Sequence, residues 1–366
     1  MNNPLLAGIR VLDLSRLLPG PFCTLYLAQL GAEVIKVEEP KGGDYCRSLS
    51  PELFALVNRG KKSVTLDLKL PADVACFHRL VATADVVLES FRPGVMDRLG
   101  CGYEALKALN PKLVFAALTG YGQDGPYRDR PGHDMNYRGY AGDLHQNGRS
   151  DGAPATGNFQ TADLAGGALT CAIGILAAVI GAKASGIGSF VDISMLDGTL
   201  ALQVAALASL RASGSTPPRG GDVLSGGVPN YQIYESADGQ HMALGAVEYK
   251  FFANFCQLAG RPDLLKLPMA VGEKGAALRE SLAALFRSKT RAEWEALVAD
   301  KETCVSGIFD LQEALGNAQV VARGLVETSG GKPAIGLPIR FGRANPVSAE
   351  SPALGADNAA LLPALR

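Results

Sequence analysis

Three polar residues stand where their types could move protons. His133 lies in PGHDMNYRGY (131–140), is one of only four histidines in the chain, and is followed at once by Asp134. Asp163 lies in NFQTADLAGG, at the start of a long apolar stretch. Glu248 lies in ALGAVEYKFF, between an apolar strand and an aromatic helix. A histidine and two carboxylates are the side chains of general acid–base catalysis near neutral pH. Each also has an ordinary explanation: a histidine tying down a loop, an aspartate capping a helix, a glutamate opening a surface helix. The loop TGYGQDGPYRDRPGHD (119–134) follows a strand, which is where functional groups collect on α/β sheets. A dispersed basic set, Arg59, Lys61, Lys62, Lys69, Arg92 and Arg98, could hold an anionic ligand. Lys69 and Arg92 follow strand ends directly.

Several chemistries lack their fingerprints. After the first strand the text reads Leu17-Leu18-Pro19-Gly20-Pro21, not the glycine pattern of a dinucleotide site. Arg59-Gly60-Lys61-Lys62-Ser63 misses a phosphate loop, because Ala55 stands for the first glycine and Lys62 for Ser or Thr. There is no GxSxG and no HExxH. The seven cysteines are scattered, with no CxxC and no metal-type spacing, as for reduced thiols in a long intracellular chain. A net charge of −1 gives no footprint for nucleic acid. The opening Met1-Asn2-Asn3-Pro4 shows no secretory pattern, and Ala364-Leu365-Arg366 is no peroxisomal address. A soluble, cytoplasmic protein is expected.

The elements that must position these residues follow from patterning. GIRVLDLS (8–15), EVIKVEEP (33–40), SVTLDL (63–68), DVVLES (85–90) and KLVFAAL (112–118) read as buried strands. Helical segments 22–32, 71–82 and 102–109 alternate with them. Such alternation predicts an α/β fold with a Rossmann-like, doubly wound parallel sheet. A further short strand at 189–198 leads to an Ala/Leu helix at 199–212. The stretch 166–182 carries no charge over 17 residues, short of the roughly 18–20 that span a membrane, and is expected as a helix buried on most sides. The Gly/Pro-rich segment 213–230 reads as a linker. YQIYES, Asp238-Gly239 and HMALGAV form a hairpin, followed by helices at 250–259, 275–288 and 291–300. The expected division is a large domain at 1–212, a linker at 213–230, a smaller α+β domain at 231–325, and a segment at 326–366 returning to the large domain.

In this order the segments resemble the family III CoA-transferase (CaiB/BaiF) superfamily, and within it the α-methylacyl-CoA racemases. The resemblance rests on 8–40, KKSVTLDLK (61–69), ADVVLESFRPGVMDRLG (84–100), LTGYGQDGP (118–126), VDISMLDG (191–198) and GGVPNYQIYESADGQ (226–240). GHDMNY (132–137), ADLAGG (162–167) and GAVE (245–248) resemble the racemase signatures. The text departs at Glu38-Glu39-Pro40, where racemases often carry an arginine near the CoA nucleotide.

The resemblance implies an interlocked homodimer acting on acyl-CoA thioesters, with no separate cofactor, no metal and no membrane. It implies His133 and Asp163 as opposed acid–base groups at carbon 2, with Glu248 of the second subunit orienting His133. Leu66, Asp67, Leu68, Lys69, Arg92, Arg98, Gly132, Asp134, Met135, Asn136 and Tyr137 would hold CoA and substrate. Amides at 163–166 could stabilise the enolate oxygen. The neighbouring branch implies CoA transfer between carboxylic acids, with Asp163 as nucleophile. A catalytically silent acyl-CoA-binding relative is a third expectation.

Overall fold

A computed structural model of the chain describes residues 5–341 and 349–362. Six strands form one parallel sheet: β1 (Arg10–Asp13), β2 (Glu33–Glu38), β3 (Lys62–Thr65), β4 (Val86–Glu89), β5 (Val114–Thr119) and β6 (Phe190–Ser194), in the order β3-β2-β1-β4-β5-β6. Leu12 of β1 sits beside Ile35 of β2 on one side and Val87 of β4 on the other. Successive residues face opposite sides of a strand. Val11, Val34, Val86 and Val114 therefore join one core, with Cys23, Leu27, Cys171 and Ile175 from the covering helices. Leu12, Ile35, Val87 and Phe115 join the other, with Phe77, Leu80 and Leu106. Burial on both faces explains the unbroken apolar runs of these strands. The doubly wound parallel sheet expected from the sequence is present.

Connections leave β1 and β4 in opposite directions along the sheet, so a crevice opens between their carboxyl ends. The outer edge of β3 is covered by the end of the chain. Ser63 and Thr65 donate backbone N–H bonds to Asp357 Oδ2 and Asn358 Oδ1, each at 2.8 Å. These contacts satisfy donors that a bare edge strand would expose.

The chain divides into two compact units. The first comprises Met1–Asp143, Asn158–Leu202 and the residues from Ala318 onward; the second comprises Leu144–Gly157 and Gln203–Asn317. These bounds differ from the expected 1–212, 213–230 and 231–325. The helix expected at 199–212 is broken at Leu202 and Gln203 into Met195–Ala201 and Val204–Ser213, which belong to different units. The 213–230 segment is folded rather than extended: Asp222 opens the short helix Val223–Ser225 and accepts a bond from Ser209 Oγ at 2.5 Å. Of the expected C-terminal segment 326–366, residues 342–348 and 363–366 lie outside the described residues.

The second unit has an antiparallel sheet of β7 (Tyr231–Glu235), β8 (His241–Gly245) and β9 (Val305–Gly307). Its core stacks Tyr234 on Phe286 at 5.0 Å, and Trp294 Nε1 donates to Phe286 O at 2.8 Å. A small antiparallel pair, β10 (Val326–Ser329) and β11 (Lys332–Ile335), belongs to the first unit.

The apolar stretch departs from expectation. Ala162–Ser185 forms one helical run, long and apolar enough by length and composition to cross a membrane. It is not buried on most sides. Cys171, Ile175, Val179 and Ala182 form the stripe that packs on the sheet, while Ile173 and Ile180, one and the same helix face, are 69% and 70% exposed.

Candidate functional site

A cleft of about 820 Å³ opens where β1, β4 and β5 end, and its wall includes His133 and Asp163. The loop of residues 120–132 brings His133 there. His133 has extended backbone (φ −131°) and is the residue before the helix Asp134–Ala141. Its N–H donates to Asn136 Oδ1 at 3.0 Å, and Asn136 N–H donates back to His133 O at 2.8 Å. Asn136 thus fixes the histidine's backbone, and the imidazole stays exposed.

Tyr137 forms the floor beneath it. The Tyr137 hydroxyl donates to Gly132 O. A Cβ at Gly120 or Gly132 would lie 2.2 or 2.7 Å from the Tyr137 ring, so both positions need glycine. Burial pushes the Tyr137 phenol well up, and the Asp163 carboxylate adds to the effect.

Asp163 sits in the first turn of Ala162–Leu169, which winds as a π-helix before continuing as the α-helix Thr170–Ser185. Such wide turns recur at functional sites. A close approach sets its position: a Cβ on Gly166 would meet the Thr199 amide nitrogen at 2.7 Å. Burial raises the Asp163 carboxyl from its ordinary 3.8 to about 7, and the Asp134 carboxylate contributes further.

Asp134 serves the fold rather than the cleft wall. Its Oδ1 accepts from the amides of Ala162 at 2.7 Å and Asp163 at 3.1 Å, capping the turn that carries Asp163. Its Oδ2 lies 3.5 Å from Arg138 Nη1. Since Asp163 N–H is taken by Asp134 and Leu164 N–H donates to Gln160 O at 3.0 Å, neither is free to hold an enolate oxygen, contrary to expectation. Met135 is 55% exposed and, like Asp134, does not line the cleft.

A second cleft, about 340 Å³, opens at the ends of β1 to β3. Leu66, Asp67, Leu68 and Lys69 line it, with Glu38 and Glu39. Arg92 lines the larger cleft instead. Arg98 is exposed on the helix Val95–Arg98 and lines neither. Arg16, Tyr45 and Phe91 line both, so the clefts meet there.

Three members of the basic set are committed to other protein groups, two of them, Lys61 and Arg59, inside the fold. Lys61 is fully buried and reaches Asp13 Oδ2 at 3.1 Å, Pro21 O at 2.9 Å and Asn58 Oδ1 at 2.9 Å. Lys62 pairs with Glu33 at 2.6 Å, and the buried Arg59 donates to Ile335 O at 2.6 Å. Burial alone would raise the Asp13 carboxyl, but Lys61, Lys36 and the hydroxyls of Ser15 and Thr24 hold it well below the carboxylate range. Lys36 in turn meets Asp44 at 3.0 Å, and Asp44 Oδ1 accepts the Leu17 amide at 3.0 Å. Leu17 has φ +65°, strained for a branched residue, in the loop that floors the larger cleft. The buried pairs therefore brace the loop between β1 and the first helix.

Glu248 is a residue of the second unit. It is exposed and precedes the helix Tyr249–Leu258, its carbonyl accepting from Phe251 N–H at 3.1 Å. Among the described residues no group of three or more His, Cys, Asp or Glu could hold a metal ion. Sequence reading passes over Arg16. The signal was available, since it follows the end of β1 just as Lys69 and Arg92 follow other strands.

A family model described as CoA-transferase family III matches residues 6–358. The chain is 38% identical over 325 residues to the alpha-methylacyl-CoA racemase of Homo sapiens, covering 88% of this chain and 83% of the human protein. It is 35% identical over 346 residues to the acetyl-CoA:oxalate CoA-transferase of Acetobacter aceti, covering 91% and 88%. The crystal structure of a CAIB/BAIF family protein from Brucella suis superposes with a TM-score of 0.87 at 31% identity, covering 100% of both chains.

Proposed function

Because the chain belongs to the family III CoA-transferases, we propose that its larger cleft takes a 2-methyl-branched acyl-CoA thioester and inverts carbon 2. The observation that carries this reading is the Asp163 carboxyl, raised to about 7 in a cleft that His133 also lines. A group titrating near neutrality is matched to both giving and taking a proton. In the proposed reaction one of the two removes the carbon 2 proton, and the C–H electron pair moves into the thioester enolate. The other returns a proton to the opposite face. The CoA moiety is part of the substrate, and no further cofactor enters.

Glu248 is proposed to orient the His133 imidazole from a second copy of the chain. Support for a dimer comes from the exposed Ile173 and Ile180 on one face of the helix. Light scattering that finds a stable monomer would remove this part of the proposal.

A second reading is CoA transfer. Asp163 would attack the thioester carbonyl and expel CoA thiolate, leaving a mixed anhydride. The thiolate would attack the Asp163 carbonyl and release the donor carboxylate. The acceptor carboxylate would then displace the thiolate from the Asp163 thioester as a second anhydride, and the thiolate would take the acceptor's acyl group from it, restoring Asp163. The comparisons lean this way, since transferases match the chain about as well as racemases do. The raised Asp163 carboxyl leans the other way: a group titrating at about 7 is partly protonated at neutral pH and correspondingly weak as a nucleophile. Incubating one epimer of a 2-methylacyl-CoA without any acceptor acid tests the choice. The other epimer should accumulate. Strict dependence on an acceptor, with hydroxylamine capturing an Asp163 anhydride, would establish transfer instead.

A further inference from the structure

We propose that Arg16 clamps the diphosphate of the CoA moiety where the two clefts meet. The inference rests on the acyl-CoA reading above and assigns a residue to its phosphates. Arg16 leaves the carboxyl end of β1, and Phe91 leaves that of β4. These are the strands between which the sheet's winding reverses, the position at which open α/β sheets bind ligands. Arg16 N–H donates to Ser90 Oγ at 3.2 Å, joining the two strand ends.

The side chain is held but its charge is unspent. Its guanidinium lies 4.8 Å from the centre of the Tyr45 ring and 4.8 Å from that of Phe91. Its Nη1 donates to the Tyr45 hydroxyl at 2.9 Å. Among the described residues no carboxylate pairs with it. The nearby Arg47, by contrast, is committed to Glu38 through Nε at 2.8 Å and Nη2 at 2.7 Å. Two aromatic faces fix the plane of a guanidinium without neutralising it. A half-buried, oriented and unpaired arginine suits an oxyanion pair.

The order of parts in CoA selects which anion. The smaller cleft offers the carboxylates of Glu39 and Asp67, acceptors for ribose hydroxyls or the adenine amino group. The larger cleft holds His133 and Asp163, which the thioester must reach. With adenosine at one end and thioester at the other, the diphosphate lies at the junction.

Calorimetric titration of the full-length protein and its Arg16→Gln and Arg16→Lys variants with CoA, dephospho-CoA and pantetheine tests this. Arg16→Gln should weaken CoA and dephospho-CoA alike, by about tenfold to a hundredfold, and leave pantetheine unchanged. Arg16→Lys, which keeps the charge and loses the fork, should fall between. Equal losses for all three ligands, or no loss, overturns the inference, because Arg16 would then be structural or uninvolved. Loss with CoA but not with dephospho-CoA also overturns it, placing Arg16 at the 3′-phosphate. Wild-type protein that binds no CoA at all overturns the acyl-CoA reading and the inference with it.

Discussion

Replacing Asp163 by asparagine removes a carboxyl group that burial keeps protonated far above its ordinary range, so the substitution should stabilise the protein while disabling it. In the unfolded chain the group ionises near 3.8, and in the fold near 7. Between those values the unfolded state has released a proton that the native state retains. Stability therefore falls as pH rises through that window and levels off above it. Asparagine has no such dependence. The full gap between 3.8 and about 7 corresponds to about 4 kcal/mol at 1.36 kcal/mol per pH unit. Asp163 is only half-buried in an open cleft wall, so solvent screening lowers the expected gain to about 1–3 kcal/mol. Urea unfolding of both proteins at pH 4.5 and pH 8 reads it. The variant should gain on the wild type between the two pH values. A stability difference that is the same at both, or a variant that loses ground at pH 8, refutes the raised carboxyl and the acid–base role built on it.

Other substitutions probe separate parts of the account. His133→Ala should lower turnover by about 10²–10⁴-fold, the usual worth of a general base. Because the imidazole is exposed, thermal unfolding should be unchanged. Lys61→Met leaves the buried Asp13 without its ion-pair partner, held only by Ser15, Thr24 and the charge of Lys36, and urea unfolding should show a loss of about 3–5 kcal/mol. Gly166→Ala drives a methyl group to 2.7 Å from the Thr199 amide nitrogen, so the turn carrying Asp163 must shift. Activity should fall more than stability, read as kcat against melting temperature.

How far the sequence alone reaches depends on the range of the interaction. The parallel sheet was legible because branched apolar runs such as VVLES and KLVFAAL alternate with helical text, a local pattern. The hairpin of β7 and β8 was legible from Asp238-Gly239 for the same reason. β9 was not: three residues with an exposed Ser306 carry no period. The π-helical turn at Ala162–Leu169 has no sequence signature, and the close neighbours of its Gly166 and Gly167, Thr199 and Met195, stand about 30 positions on. Lys61 looked like an anion-binding lysine because its partner Asp13 stands 48 positions away. Asp134 looked like a cleft residue because the amides it caps lie 28 and 29 positions on. His133 and Asp163 were singled out by residue type and neighbours, and folding brings both to the lining of one cleft.

Hydrogen exchange at carbon 2 reads the proposed inversion itself. One epimer of a 2-methylacyl-CoA is incubated with the protein in deuterium oxide, with no acceptor acid present, and carbon 2 is followed by NMR. Deuterium should enter carbon 2 as the opposite epimer appears, and both processes should stop in Asp163→Asn. Carbon 2 that keeps its proton and configuration, in a protein that binds the thioester, would contradict it.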